Sequence, residues 1–108
     1  MTGCEVSMEV RPGYPPTINH ESDALFARDV ISDVLGKDGL TTDLTPTMGA
    51  EDFSYMLQQK EGAYIWLGAG KDSPNLHSPL YDFNDELLTM GASLWVRLVE
   101  AKLQQKAG

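Results

Sequence analysis

Three features of this sequence predict an α/β fold. Strand-like and helix-like segments alternate along the chain in the order strand, helix, strand, helix, strand, helix. One short segment near the middle, residues 63–68, is apolar at nearly every position, as in a strand covered on both faces. The 108 residues, 42% hydrophobic and 22% charged, are the stock of one ordinary globular domain. A chain of this length buries about 65% of the surface it exposes when unfolded, so a single modest core is expected.

The first expected strand is Glu5–Arg11. Val6, Met8 and Val10 alternate with Glu5, Ser7, Glu9 and Arg11, giving one apolar and one wet face. Pro12, Pro15 and Pro16 cannot donate to a ladder, so the strand stops there or runs on as an unpaired edge. A helix follows over about 20–35. Asn19 is its expected N-cap, with Glu21 and Asp23 in the first turn, where carboxylates favour the helix dipole. Ala24, Ala27, Ile31, Val34 and Leu35 form its apolar stripe, and Gly36 and Gly39 end it. Residues 40–46 read as a short, weakly patterned strand stopped by Pro46.

The second helix is expected over about 50–60, with Glu51 and Asp52 in its first turn, Phe53, Met56 and Leu57 as its stripe, and Gly62 as its stop. The apolar run Ala63–Gly68 is the third strand. A loop of about 16 residues, Gly68 to Phe83, comes next, and loops of that length are usually functional or mobile. Asn84 caps a last helix over about 85–105, lined by Leu87, Gly91, Leu94, Trp95 and Leu98, with Lys102 and Lys106 near its C-terminus. The shift in composition at Pro46 marks a candidate boundary between two units.

Charge narrows the function. Eight Lys and Arg against 16 Asp and Glu leave a net charge of −8, which disfavours nucleic acid and anionic membrane surfaces as partners. No apolar run approaches the 18 or so residues of a membrane span, and no basic-then-apolar leader is visible. The single cysteine, Cys4, allows no internal disulfide and fits a reducing, cytoplasmic setting. With no histidine near it in sequence, it reads as a buried, inert thiol.

Few residues offer chemistry. His20 reads as a solvated residue at a helix end, since a lone histidine with no partner motif rarely does chemistry. His77 lies in the long loop beyond the apolar strand, where ligands gather in α/β sheets, but a metal site needs three or more donors. Glu51 and Asp52 can be a metal-holding or acid/base pair, or simply first-turn carboxylates. Asp82, Asp85 and Glu86 carry the same two readings. Gly68-Ala69-Gly70-Lys71 lacks the spacing of a phosphate loop. Phe53, Met56, Trp66 and Trp95 are expected in the core.

Larger motifs add a resemblance. Met48-Gly49-Ala50-Glu51-Asp52-Phe53-Ser54-Tyr55-Met56, Trp66-Leu67-Gly68-Ala69-Gly70 and Leu76-His77-Ser78-Pro79-Leu80-Tyr81-Asp82-Phe83-Asn84-Asp85-Glu86 closely resemble the C-terminal end of metal-dependent amidohydrolases. The branch is that of hippurate hydrolase and indole-acetyl-amino-acid hydrolase, within the aminoacylase and carboxypeptidase superfamily. Val10-Arg11-Pro12-Gly13-Tyr14-Pro15-Pro16-Thr17-Ile18-Asn19-His20 is similar to that family's late lid strand leading into the lid helix.

The resemblance implies that residues 1–45 are the end of a lid, often a dimerisation domain, and 46–108 the end of a catalytic domain. It implies hydrolysis of the amide bond of N-acyl amino acids, with a metal-activated water and a glutamate base. Zinc, manganese or nickel would be the metal. Only His77 falls on a family metal ligand, the last one. Glu51 and Asp52 fall on a motif near the pocket as weak substrate-binding candidates, and no catalytic residue is assigned. The His-Ala-Cys-Gly-His-Asp motif, the paired glutamates and a further histidine of the family do not occur here. The expectations are therefore an inactive segment that binds no metal alone, self-association through strand 63–68, and an exposed His77. A separate chain supplying the N-terminal half, and a non-catalytic interaction module, are the alternatives.

Overall fold

The computed structural model describes residues 2–108; Met1 lies outside the described residues. Among the described residues three α-helices form: α1, Glu21–Leu35; α2, Phe53–Gln59; and α3, Glu86–Ala107. A single 3-10 turn, Lys37–Gly39, follows α1. All three helices fall within the ranges expected from periodicity, to within a few residues at each end. Gly36, at φ 75 and ψ 166, takes a positive-φ conformation that glycine adopts without strain, and the chain leaves α1 there. Asn84 caps α3 as expected, its Oδ1 accepting the Glu86 N–H at 3.1 Å.

The α/β expectation is overturned. No strand forms among the described residues, and the architecture is helical. The reason lies in what a strand requires. Alternating or continuous apolar residues fit a pleated surface, but a ladder exists only where a second backbone lies alongside. Residues 2–13 are exposed and make no backbone hydrogen bond among the described residues. Residues 40–46 also remain without a partner, and all of them beyond Leu40 are exposed. Residues 63–68 lie against helix instead of strand. A Cβ placed on Gly91 of α3 would stand 3.6 Å from Leu67 Cδ2, which sets Leu67 of this strap against the N-terminal third of α3.

The core is small and sits between helices. Ala27 and Val30 of α1, Leu57 of α2 and Leu94 of α3 are the buried apolar side chains. Helix α1 packs on α3. Surface charge edges this contact: Arg97 pairs with Asp33 at 3.1 Å, and the Lys102 ammonium stands 4.9 Å above the Phe26 ring and 3.8 Å from Asp23. Exposed pairs of this kind add little to stability, so the apolar contact decides the packing.

Several expected core residues stay outside. Trp66, Trp95 and Met56 are 65%, 69% and 63% exposed, and Phe53 is half-buried. Cys4, expected to be buried, is exposed. Each is apolar or nearly so and lacks a covering layer in this chain. Conversely, Ser54 is fully buried and its hydroxyl has no hydrogen-bond partner among the described residues.

Candidate functional site

The site is built where residues 19–20, 51–53 and 62–64 meet. Asn19 does not cap α1. Its side chain faces the Tyr64 backbone instead, donating Nδ2–H to the Tyr64 carbonyl at 3.0 Å and accepting the Tyr64 N–H at 2.7 Å. An Asn amide presents the same donor and acceptor pair as a peptide group, so it substitutes for one residue of a neighbouring strand.

His20 continues the clasp. Its backbone N–H donates to the Gly62 carbonyl at 3.0 Å, and the Gly62 N–H donates to its Nδ1 at 3.1 Å. The ring is half-buried, so the expected solvated helix end is replaced by a structural joint. Nδ1 accepts this bond through its lone pair and also stands 3.4 Å from the Gly62 carbonyl oxygen. The segment before α1 is thereby tied to the strap after α2 by four hydrogen bonds.

Glu51 and Asp52 precede α2 and do not lie in its first turn. The Phe53 N–H donates to Glu51 Oε1 at 3.1 Å, and the Tyr64 hydroxyl donates to Oε2 at 3.0 Å. The Phe53 amide first, and the Tyr64 hydroxyl second, hold the Glu51 carboxyl below its ordinary value, against a smaller opposing effect of desolvation. The carboxylate in turn raises the Tyr64 phenol above its ordinary value, with desolvation adding to the same direction. The Phe53 and Tyr64 rings meet at 5.5 Å, tilted by 43°, so the carboxylate bonded to the Tyr64 hydroxyl lies beside an aromatic pair. Both oxygens of Glu51 are therefore engaged within the chain. Asp52 is exposed.

His77 lies apart from this cluster. It occupies a tight turn closed by the Ser78 N–H donating to the Asn75 carbonyl at 2.9 Å, and its side chain is exposed. Among the described residues, no three His, Cys, Asp or Glu side chains come together as a metal site requires. The described residues do not by themselves assemble a metal site. Asp82 and Asp85 line a shallow surface depression with Lys71 and Asp72, and Glu86 starts α3.

The sequence matches the model of Peptidase family M20/M25/M40 over residues 3–101. The chain belongs to this family. Its relatives include IAA-amino acid hydrolase ILR1-like 2 of Arabidopsis thaliana, 31% identical over 96% of this chain and 25% of the relative. Hippurate hydrolase of Campylobacter jejuni is 33% identical over 87% of this chain and 24% of the relative. N-acetyldiaminopimelate deacetylase of Streptococcus pneumoniae is 36% identical over 95% and 26%. No solved structure matches the chain significantly. The chain thus spans about a quarter of the length of the curated relatives it matches. The amidohydrolase resemblance of the motifs around Glu51, Trp66 and His77 holds, and these relatives are named as hydrolases or a deacetylase. M20 enzymes are in general metal-dependent. Among the described residues, no helix is long and apolar enough to cross a membrane.

Asn19, His20, Gly62 and Tyr64 carry the clasp; from sequence Asn19 reads as a helix cap and Gly62 as a helix stop, and Tyr64 has no assigned role. One signal was available: Tyr64 is the one side chain with a hydrogen-bonding hydroxyl in the apolar run 63–68.

Proposed function

We propose that this chain is the closing segment of an amidohydrolase acting on N-acyl amino acids, with 1–45 the end of its lid and 46–108 the end of its catalytic domain. The match to the M20/M25/M40 model across residues 3–101 carries this reading. In it, His77 is a donor for a divalent metal such as zinc, manganese or nickel, completed by residues outside this chain. Glu51 is a positioning residue: its two oxygens fix the turn before α2 to Tyr64. The exposure of His77 supports a role completed by further polypeptide, since nothing within the chain fixes the ring. A separate chain can supply that polypeptide.

The test is hydrolysis of hippurate by the purified chain with zinc, manganese or nickel added. A water-activating site needs about three protein ligands and a base, so no turnover is expected from the chain alone. Turnover is expected once a chain carrying the remaining family sequence is added, and it should disappear in His77→Ala. Robust turnover by the isolated chain that is abolished by His77→Ala would overturn the reading.

A further inference from the structure

One of the four hydrogen bonds that join residues 19–20 to the strap 62–64 can be exchanged by a single proton. Gly62 presents both of its polar backbone atoms to the ring of His20. Its N–H donates to Nδ1 at 3.1 Å, and its carbonyl oxygen stands 3.4 Å from the same ring nitrogen. That carbonyl accepts the His20 backbone N–H at 3.0 Å, which leaves it a second lone pair. The Gly62 N–H has no other acceptor among the described residues. A neutral Nδ1 accepts that N–H. An imidazolium has two N–H donors and no lone pair, so it must release the Gly62 N–H and turn to the carbonyl.

We propose that His20 is a proton-operated switch of the strap, its Nδ1 passing from the Gly62 N–H to the Gly62 carbonyl when the ring takes up a proton. The exchange reaches further than one bond. Gly62 lies over the core, where a Cβ placed on it would stand 3.6 Å from Leu57 Cδ2 of α2. Two residues on, the Tyr64 backbone is held by Asn19 at 2.7 and 3.0 Å, and the Tyr64 hydroxyl holds Glu51 at 3.0 Å. The strap thus links the His20 ring to the carboxylate that precedes α2. A Gly62 N–H left without an acceptor costs free energy until the strap moves far enough for water to reach it. Protonation therefore loosens residues 62–64 and frees Glu51 from Tyr64. The closed strap belongs to about pH 8, and it opens as pH falls toward 5.

The charges around the ring supply no rival switch. Glu21 and Asp23 follow His20 on α1, Lys60 and Glu61 precede Gly62, and Glu51 lies behind Tyr64. Asp23 stands 3.8 Å from Lys102, and among the described residues none of these groups forms an ion pair with His20. The Glu51 carboxyl is held below its ordinary 4.5 and the Tyr64 phenol above its ordinary 10.0, so neither changes charge between about pH 5 and 8. Histidine is the side chain that ordinarily does. The chain has two, and His77 lies in a separate turn with its side chain exposed. The switch is a property of this chain and does not depend on hydrolytic activity.

Amide hydrogen exchange of the purified chain tests it, each rate being compared with that of an unstructured peptide at the same pH. The Gly62 amide should be protected at about pH 8 and lose about five- to tenfold of that protection at about pH 5, the factor one net hydrogen bond is worth. The Tyr64 amide should follow to a smaller extent. Nitrogen NMR of the His20 ring should show an unprotonated Nδ1 at the higher pH. His20→Asn keeps an acceptor at the position of Nδ1 that takes up no proton, so protection should persist at both pH values. His20→Phe keeps a ring without an acceptor, so protection should be low at both. His77→Ala should leave the response in place. Equal Gly62 protection at the two pH values, a response that survives in His20→Asn, or a proton on Nδ1 at about pH 8 would overturn the proposal. So would a loss of helical circular dichroism over the same range, since the whole fold and not the strap would then be opening.

Discussion

Replacing Asn19 by Ala removes both side-chain hydrogen bonds to Tyr64, at 2.7 and 3.0 Å, while leaving the backbone of the clasp in place. A hydrogen bond of this kind contributes a net of about 0.5–1.5 kcal/mol. Asn19 is exposed, so water replaces part of each lost bond, and the low end of that range applies. Two bonds then amount to about 1 kcal/mol. For a domain of this size, total stability is of order 5–15 kcal/mol, and four buried apolar side chains place this one near the bottom. The variant should therefore lower the urea midpoint, read by helical circular dichroism. The change should also be local before it is global, with faster hydrogen exchange at the Tyr64 amide. Asn19→Asp keeps the acceptor but sets a carboxylate oxygen against the Tyr64 carbonyl, and should be no better than Ala at neutral pH. An unchanged midpoint together with unchanged Tyr64 amide protection would refute the clasp as a joint.

Tyr64→Phe removes the second-largest influence on Glu51, so the Glu51 carboxyl should move up toward its ordinary value in a proton-detected titration, with the Phe53 amide still holding part of the depression. In the native protein the two groups give a stability plateau between the ordinary values of 4.5 and 10.0: the Glu51 share is lost as pH falls through its depressed value, and the Tyr64 share as pH rises through its raised one. Gly91→Ala should raise the melting temperature, since its Cβ meets Leu67 Cδ2 at an ordinary 3.6 Å and helical Ala is favoured over Gly by about 1 kcal/mol. Gly39→Ala should lower it, since the new Cβ would stand 2.7 Å from Leu35 Cβ.

The helices were legible because their cause is local. The 3.6-residue stripe of α1, the cap at Asn84 and the stop at Gly36 all act within a few residues. The strands were not, because their cause is remote. The same alternation that marks Glu5–Arg11 as strand-like leaves it bare when no second backbone lies beside it. Trp66 and Trp95 failed as core residues for the same reason: apolarity predicts a wish for cover, and the cover must come from elsewhere. In the site, His77 was legible as a residue type in a family motif, whereas the roles of Asn19 and His20 depend on the strap 62–64 returning across more than 40 residues. That return is not encoded in any local pattern. Glu51 was singled out, but its partner Tyr64 was hidden in an apolar run.

The exposed arm has a hydrodynamic consequence. The radius of gyration is 19.2 Å, against about 13 Å for a compact chain of this length. By the same scaling, 19.2 Å is the size of a compact domain of about 300 residues. On a gel-filtration column calibrated with globular standards, a lone copy of this chain would therefore elute in the position of a compact trimer. Its longest dimension, 70 Å, would also give a scattering profile with the extended tail of an elongated particle. Elution volume and mass are decoupled in this molecule, and only a direct measure of mass distinguishes one copy from two.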